Sequence, residues 1–122
     1  MTTDGPRQTS PRREPLRICQ TTQLRPELRE RYLELHAAVW ESVESGLRAA
    51  NIENYTIFVR GNTLVGYYEY VGEDLDHDLA LLDADPETQR WLQLTDPCQQ
   101  DPDGEGGRPW RNLTEVWHLE AE

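Results

Sequence analysis

The longest regular pattern in the sequence is an apolar stripe between Pro26 and Ala50. Its members recur every three or four residues, a spacing that places side chains on one face of an α-helix. They are Leu28, Tyr32, Leu35, Val39, Val43 and Leu47. Proline is tolerated in a first helical turn because its missing N–H would have no partner there. The pattern therefore predicts one uninterrupted helix of about six turns, from Pro26 to about Ala50.

Strand patterns lie on both sides of this helix. In Leu16–Leu24 the apolar residues share one parity, which predicts a strand with one buried face. The segments Asn54–Arg60 and Leu64–Val71 are rich in β-branched and aromatic residues, and the Gly61-Asn62 pair between them accepts positive φ. These two segments are predicted to form a hairpin, and Leu113–Leu119 is predicted to form a last strand.

A second helical region follows the hairpin. The acidic start at Glu73–Asp78 predicts a helix through Leu82, and Asp85-Pro86 predicts the start of another that Pro97 ends. Prolines and glycines predict an irregular loop over 96–109. The order of elements is then β-α-β-β-α-β, an α+β, ferredoxin-like arrangement with helices on one face of an antiparallel sheet. The other face is expected to be wet or used for dimerisation.

The length and composition indicate one domain. A chain of 122 residues with 36% hydrophobic content can bury one core. Residues 1–15 contain three prolines and few apolar side chains, so we expect a flexible N-terminal tail followed by a single domain over 16–122. No stretch approaches the roughly 18 apolar residues of a membrane span, and the N-terminus lacks the apolar core of a secretory signal. We therefore expect a soluble, cytoplasmic protein without a membrane partner.

The charge balance argues against nucleic-acid binding. There are 23 acidic and 12 basic residues, and the formal net charge of -11 would repel a phosphate backbone. The two cysteines, Cys19 and Cys98, lack the spacing of a zinc site or a disulfide scaffold, so we predict free thiols. His77 among acidic residues is interpreted as part of a helix start rather than a metal site. These residues therefore predict no metal site.

The best candidate for chemistry is His36. Tyr32, His36 and Trp40 are spaced four residues apart, so they share one flank of the predicted helix, at the border of its apolar stripe. Histidine titrates near neutrality and suits acid–base work on a hydroxyl or ring oxygen. A hydrogen-bonded core histidine, with aromatic neighbours that only pack, is the structural alternative.

Further aromatic residues favour a carbohydrate site. Tyr55, Trp91, Trp110 and Trp117 lie on or beside the other predicted elements. Pyranose rings offer apolar C–H faces that stack on aromatic planes and hydroxyl edges that form hydrogen bonds. Packing in a small core is again the alternative for these side chains.

Five segments together make the chain resemble the L-rhamnose mutarotase family. Each is similar to a motif of that family, and the five occur in the family's order over about Leu16 to Glu120. They are RPELRERYLELHAAVWESV (25–43), NYTIFV (54–59), LVGYYEY (64–70), DPETQRW (85–91) and EVWHLE (115–120).

The resemblance implies a dimeric α/β barrel and interconversion of the α and β anomers of L-rhamnose without metal or organic cofactor. It implies that His36 is the proton donor and that Tyr32, Tyr55 and the pair Trp91 and Leu92 bind the monosaccharide. The family often has a second Trp where this chain has Leu92, so one stacking surface is missing. The proline that usually follows the first-helix Trp is replaced by Glu41.

We therefore hypothesise a homodimeric sugar mutarotase for L-rhamnose or a related deoxyhexose. In this hypothesis His36 is the acid that protonates the ring oxygen as the hemiacetal opens. The base that takes the proton of the anomeric hydroxyl is Glu69, another acid or a water. A dimeric α/β-barrel monooxygenase and a non-catalytic sugar-binding module are the rival interpretations, because this fold hosts several functions.

Overall fold

A computed structural model describes residues 14–100 and 110–121. The strands are β1 (Leu16–Leu24), β2 (Ile52–Arg60), β3 (Thr63–Tyr70), β4 (Gln99–Gln100) and β5 (Arg111–Asn112). The helices are α1 (Arg29–His36), α2 (Glu41–Ala49), α3 (Leu75–Ala84) and α4 (Pro86–Thr95). Short 3₁₀ turns lie at Pro26–Leu28 and Asp96–Cys98.

The strands form one antiparallel sheet in the order β2-β3-β1-β4, and β5 also pairs with β1. The predicted α+β, ferredoxin-like fold is confirmed, and β1 has the predicted bounds. The predicted hairpin is confirmed as β2 and β3. Gly61 in its turn takes φ 60°, a conformation that glycine adopts without the steric cost other residues meet.

The prediction of one long helix from Pro26 to Ala50 was wrong. α1 ends at His36, Trp40 is extended with ψ 138°, and α2 starts at Glu41. The two helices cover different parts of the molecule, because α1 lies against the Asp96–Cys98 turn whereas α2 packs on α4 and β2. The apolar spacing continues across the break, so it did not reveal that the chain changes direction there.

The predicted last strand over Leu113–Leu119 was also wrong. Pairing with β1 covers Arg111–Asn112, and the amide of Leu113 donates to the carbonyl of Cys19 at 2.8 Å. Beyond this bond the segment Leu113–Ala121, here called the C-terminal arm, has no regular secondary structure. A segment with a strand pattern forms a strand only where a neighbouring strand pairs with its backbone. The described part of this chain provides no such neighbour for the arm.

The predicted loop over 96–109 was wrong at its start, where the 3₁₀ turn and β4 replace irregular chain. Its remainder, 101–109, lies outside the described residues, as does the predicted tail except for Glu14 and Pro15. Cys19 and Cys98 are free thiols, as predicted. None of the helices in the described ranges is long and apolar enough to cross a membrane.

The helices cover one side of the sheet, here called the inner face. Two groups of buried residues fill the space between the helices and this inner face. One group is Leu24, Tyr32, Leu64 and Cys98, and the other is Ala50, Ile52, Tyr68 and Tyr70. The first group includes a residue of α1 next to His36, so the core and the candidate site are continuous.

Replacing Leu64 with Ala tests this packing. Leu64 is fully buried in the group that holds Tyr32, and truncation removes apolar contacts and leaves a cavity. We expect the free energy of unfolding to fall by about 2–5 kcal/mol in urea denaturation. Leu81→Ala is the matched control because Leu81 on α3 is 59% exposed, and it should change little. Equal losses in both variants would contradict the core described above.

Candidate active site

His36 is the last residue of α1, and its ring is held by the helix that carries it. Its Nδ1 lies 3.0 Å from the carbonyl oxygen of Tyr32, one turn earlier. A carbonyl can only accept, so the hydrogen bond requires the proton on Nδ1. In the neutral ring this leaves the lone pair on Nε2. The imidazole is therefore oriented with a basic nitrogen available for chemistry.

Aromatic rings surround this imidazole. The Tyr32 ring stacks on it with 4.1 Å between centroids and 25° between planes. The Trp91 ring approaches it edge-on at 5.3 Å, and Trp40 meets Trp91 in the same way at 5.2 Å. α1, the break that follows it and α4 together supply this cluster. Tyr32 thus lies against His36 as predicted, whereas Trp40, predicted on the same helical flank, lies in the extended break after α1 and reaches the cluster through Trp91.

Burial sets the charge state of His36. Desolvation lowers its pKa below the ordinary value of 6.5, and the hydrogen bond to the Tyr32 carbonyl opposes that shift only partly. A histidine with a lowered pKa is neutral at pH 7. The neutral ring can accept a proton at Nε2 before it donates one.

Tyr55 reaches the inner face through a β-bulge in β2. Glu53 pairs with Glu69 and Thr56 with Tyr67, so two residues of β2, Asn54 and Tyr55, oppose one residue of β3. Asn54 takes φ 54°, a conformation that asparagine tolerates better than most residues. Because a bulge redirects the side chains that follow it, Tyr55 lies beside Tyr68 with 5.3 Å between ring centroids.

The hydroxyl groups of Tyr32 and Tyr55 share one environment. Burial raises the pKa of Tyr55 to about 12, although 40% of the residue is exposed, because protein atoms surround the hydroxyl. Burial also raises the pKa of Tyr32, and a charge on Tyr55 would raise it further. The side-chain amide of Gln99 forms a hydrogen bond with Tyr32 that acts in the opposite direction. Both phenols are neutral at pH 7 and can donate hydrogen bonds.

Trp110 forms the sheet side of this region. It packs against the group of buried residues that includes Tyr32. A Cβ atom placed on Gly66 would lie 3.3 Å from the Trp110 indole and 3.7 Å from the Tyr55 ring. The absence of a side chain at Gly66 therefore leaves space for both rings on the inner face.

The structure separates Leu92 from the other predicted site residues. Leu92 is half-buried and lines an open depression with Gln89, Gln93 and Pro97. It follows Trp91 on α4, and successive side chains of a helix leave it about 100° apart. Tyr32, His36, Tyr55 and Trp91 belong to one region, whereas Leu92 points away from Trp91.

Sequence reasoning missed two residues of this region, Tyr68 and Gln99. Tyr68 is buried on the inner face of β3, and its place in an alternating strand was a usable signal. Gln99 lies in a two-residue strand opposite Leu24, and no local pattern indicated that pairing.

The acidic segment around His77 has a structural role. Asp74 caps α3 by accepting from the amide of His77, and Asp78 accepts hydrogen bonds from Tyr70 and Asn51. Within the described ranges, Glu14, His118 and Glu120 offer ligand atoms within 4.8 Å of one another. All three are exposed, and Glu14 pairs with Arg17, which is the behaviour of ordinary surface charges.

Comparisons with known proteins agree with one another. The family model described as L-rhamnose mutarotase matches residues 17–119. An L-rhamnose mutarotase of Burkholderia cenocepacia (strain HI2424) is 32% identical over 99 residues, which are 80% of this chain and 91% of that protein. The crystal structure of an L-rhamnose mutarotase from Formosa agariphila has a TM-score of 0.65 at 22% identity, and the match covers 86% of this chain and 99% of that chain.

The same fold also occurs in a protein with a different name. Tetracenomycin F2 cyclase from Streptomyces glaucescens, a polyketide cyclase, has a TM-score of 0.61 at 11% identity and covers 86% of this chain and 99% of that chain. Such a likeness concerns the fold alone, since one fold hosts many reactions.

The charge state of His36 can be measured by an NMR pH titration. We expect its pKa to lie below 6.5 in the folded protein and near 6.5 in urea, because only folding desolvates the ring. Below pH 6.5 the unfolded chain then takes up a proton that the folded protein resists. The stability contributed by neutral His36 is therefore present above pH 6.5 and lost as the pH falls through the folded pKa.

The matched control is His36→Gln, which stays neutral at every pH. Its free energy of unfolding should lose less on acidification from pH 7 than that of the wild type. A folded-state pKa at or above 6.5, or the same acid loss in both proteins, would contradict the desolvated ring.

Proposed function

The chain belongs to the L-rhamnose mutarotase family and is an isomerase that acts on carbohydrates, and on that basis we propose that it interconverts the α and β anomers of L-rhamnose or a related deoxyhexose. The observation that carries the proposal is the hydrogen bond from His36 Nδ1 to the Tyr32 carbonyl. It leaves Nε2 as the basic nitrogen of a ring enclosed by Tyr32 and Trp91.

Ring opening of a hemiacetal moves one proton. The anomeric hydroxyl loses its proton, the bond between C1 and the ring oxygen breaks, and the ring oxygen gains a proton. The open-chain aldehyde then rotates about C1–C2, and the reverse steps close the ring on the other face of the carbonyl. No atom is gained or lost, so one group that both accepts and donates a proton is sufficient.

His36 fits that requirement because both oxygens are bonded to C1. Neutral Nε2 first takes the proton of the anomeric hydroxyl, and the resulting imidazolium gives it to the ring oxygen. His36 is thus the donor that the sequence resemblance implied, after it has acted as an acceptor. The neutral phenols of Tyr32 and Tyr55 are proposed to hold sugar hydroxyls, and the Trp91 ring to stack on the C–H face.

The rival interpretation as a monooxygenase is not favoured, because the family match covers most of the chain and names a mutarotase. A sugar-binding module without turnover would share these side chains. Measurement of anomer exchange distinguishes that module from the enzyme proposed here.

We also propose that the protein is a homodimer. Val116 is 94% and Trp117 76% exposed in the C-terminal arm, and Phe58 is exposed on the outer face of the sheet. Apolar side chains at such exposure favour association, because burying them releases ordered water. The arm leaves the sheet beside Arg17 and Cys19, where an open depression separates it from Tyr67. We propose that the arm and the outer face are buried against a second copy of the chain.

Replacing His36 with Gln tests the proposed reaction. We expect the rate of anomer exchange of L-rhamnose, measured by saturation-transfer NMR, to fall by about 10²- to 10⁴-fold toward the rate in buffer. Glutamine keeps a polar side chain that cannot relay a proton at neutral pH. His77→Gln is the control, since His77 is exposed on α3, and it should retain full exchange.

The pH dependence of exchange tests the order of the proton transfers. If neutral His36 accepts first, kcat/KM stays constant from neutral pH downward and falls only below the lowered pKa of His36. A rate that rises as the pH drops through 6.5 would instead require a protonated ring at the start. Unchanged exchange in His36→Gln would remove His36 from the reaction.

Two charges in the arm test the proposed homodimer. The double variant with Val116→Glu and Trp117→Glu should sediment as a monomer, whereas the wild type should sediment at twice the chain mass of 14.2 kDa. A carboxylate buried in an apolar interface lacks hydration and a partner, so association becomes unfavourable. Leu81→Glu, on exposed α3, should remain dimeric. A monomeric wild type would contradict the homodimer.

A further inference from the structure

Gln99 places a polar side chain in the region of Tyr32. It lies in β4 directly opposite Leu24 of β1, and residues that oppose each other in an antiparallel pair point to the same face. Leu24 is on the inner face, packed with Tyr32 and Leu64. Gln99 is 7% exposed, so its amide is held in the same protein interior.

The backbone around Gln99 is fixed on both sides. The carbonyl of Cys98 accepts from the amide of Arg25 at 2.8 Å, and the side chain of Gln100 donates to the carbonyl of Leu24 at 3.3 Å. Cys98 itself belongs to the buried group that contains Tyr32. The strand pairing therefore fixes the backbone from which the side-chain amide of Gln99 extends, and no mobile surface loop is involved.

One end of this amide is engaged and the other is not. The Gln99 amide lies near enough to the Tyr32 hydroxyl to lower its pKa by hydrogen bonding, whereas among the described residues its Oε1 is a buried atom without a hydrogen-bond partner. A glutamine amide carries two donors and an oxygen with two lone pairs, so engaging one end leaves the other to be filled. An unpaired buried acceptor is costly and uncommon, and beside a binding site it can accept a hydrogen bond from a ligand hydroxyl.

We propose that Gln99 is a substrate-binding residue that determines specificity, with Oε1 accepting a hydrogen bond from one ring hydroxyl of the sugar. The inference rests on the proposed function, because it takes the space around Tyr32, His36 and Tyr55 as the sugar site. Hydroxyl groups are the donors that a pyranose offers along its edge, whereas its C–H face suits the rings of Trp91 and Trp110. Gln99 thus distinguishes sugars by the position of one hydroxyl.

The experiment combines Gln99→Met with L-rhamnose analogues that each lack one ring hydroxyl. Methionine has a similar length and no amide. We expect Gln99→Met to bind L-rhamnose about 3- to 10-fold more weakly, measured as Kd by ligand titration in NMR. The wild type should lose a similar factor with one analogue, and Gln99→Met should bind that analogue as well as it binds L-rhamnose. This non-additivity identifies the hydroxyl that Gln99 contacts.

Stability separates this role from a structural one. Gln99→Met removes the unpaired Oε1, which raises stability, and the hydrogen bond with Tyr32, which lowers it, so its urea midpoint should stay close to that of the wild type. Gln93→Met is the matched control, since Gln93 is exposed on α4, and it should change neither binding nor the midpoint. A lower midpoint with unchanged sugar affinity would overturn the proposal, as would the same affinity loss for every analogue.

Binding and exchange are measured separately, so the two proposals can fail separately. Sugar binding by the wild type without anomer exchange would refute the proposed reaction, and the Kd comparison would still decide the role of Gln99. No binding of L-rhamnose or its analogues by the wild type would overturn the assignment of Gln99.

Discussion

The hydrogen bond between the His36 imidazole and the Tyr32 carbonyl is the contact on which the arrangement of the candidate site depends. It selects one tautomer and fixes the ring against the helix. It exists because α1 continues far enough to bring residues four apart onto one flank, and the ring stacks on Tyr32 in the same arrangement. Burial then keeps the ring neutral at physiological pH. The turn of helix thus sets the orientation of the ring, and burial sets its charge state.

The region around His36 combines apolar planes with neutral polar tips. Trp91 and Trp110 are apolar rings, whereas Tyr32, Tyr55 and Gln99 carry hydroxyl and amide groups. A monosaccharide has the same division between its C–H faces and its hydroxyl edges. The helices carry Tyr32, His36 and Trp91 and the sheet carries Tyr55, so the packing of helices on the sheet that stabilises the fold also brings these side chains together.

Much of this arrangement could be predicted from the sequence, because much of it is local. Alternation identified β1, and the acidic start at Glu73–Asp78 and the Asp85-Pro86 pair predicted α3 and α4, which Asp74 and Asp85 cap in the structure. Tyr32 and His36 were placed on one flank because a spacing of four needs only one turn of helix. The break before Glu41 was not predicted, since the apolar spacing persists through it. Pairing of Gln99 with Leu24 joins residues distant in sequence, and no local pattern encodes it.

The β-bulge at Asn54 and Tyr55 affects how related sequences should be compared. An uninterrupted ladder continuing from Glu53 would have set Asn54 opposite Tyr68 and turned Tyr55 to the outer face. Ile52 and Ile57 therefore both contribute to the core despite their opposite parity. An alignment that omits the extra residue of the bulge still matches most apolar positions. It places an asparagine, however, at the position of Tyr55. Gap placement at this one position consequently decides which residue of a homologue is aligned with Tyr55.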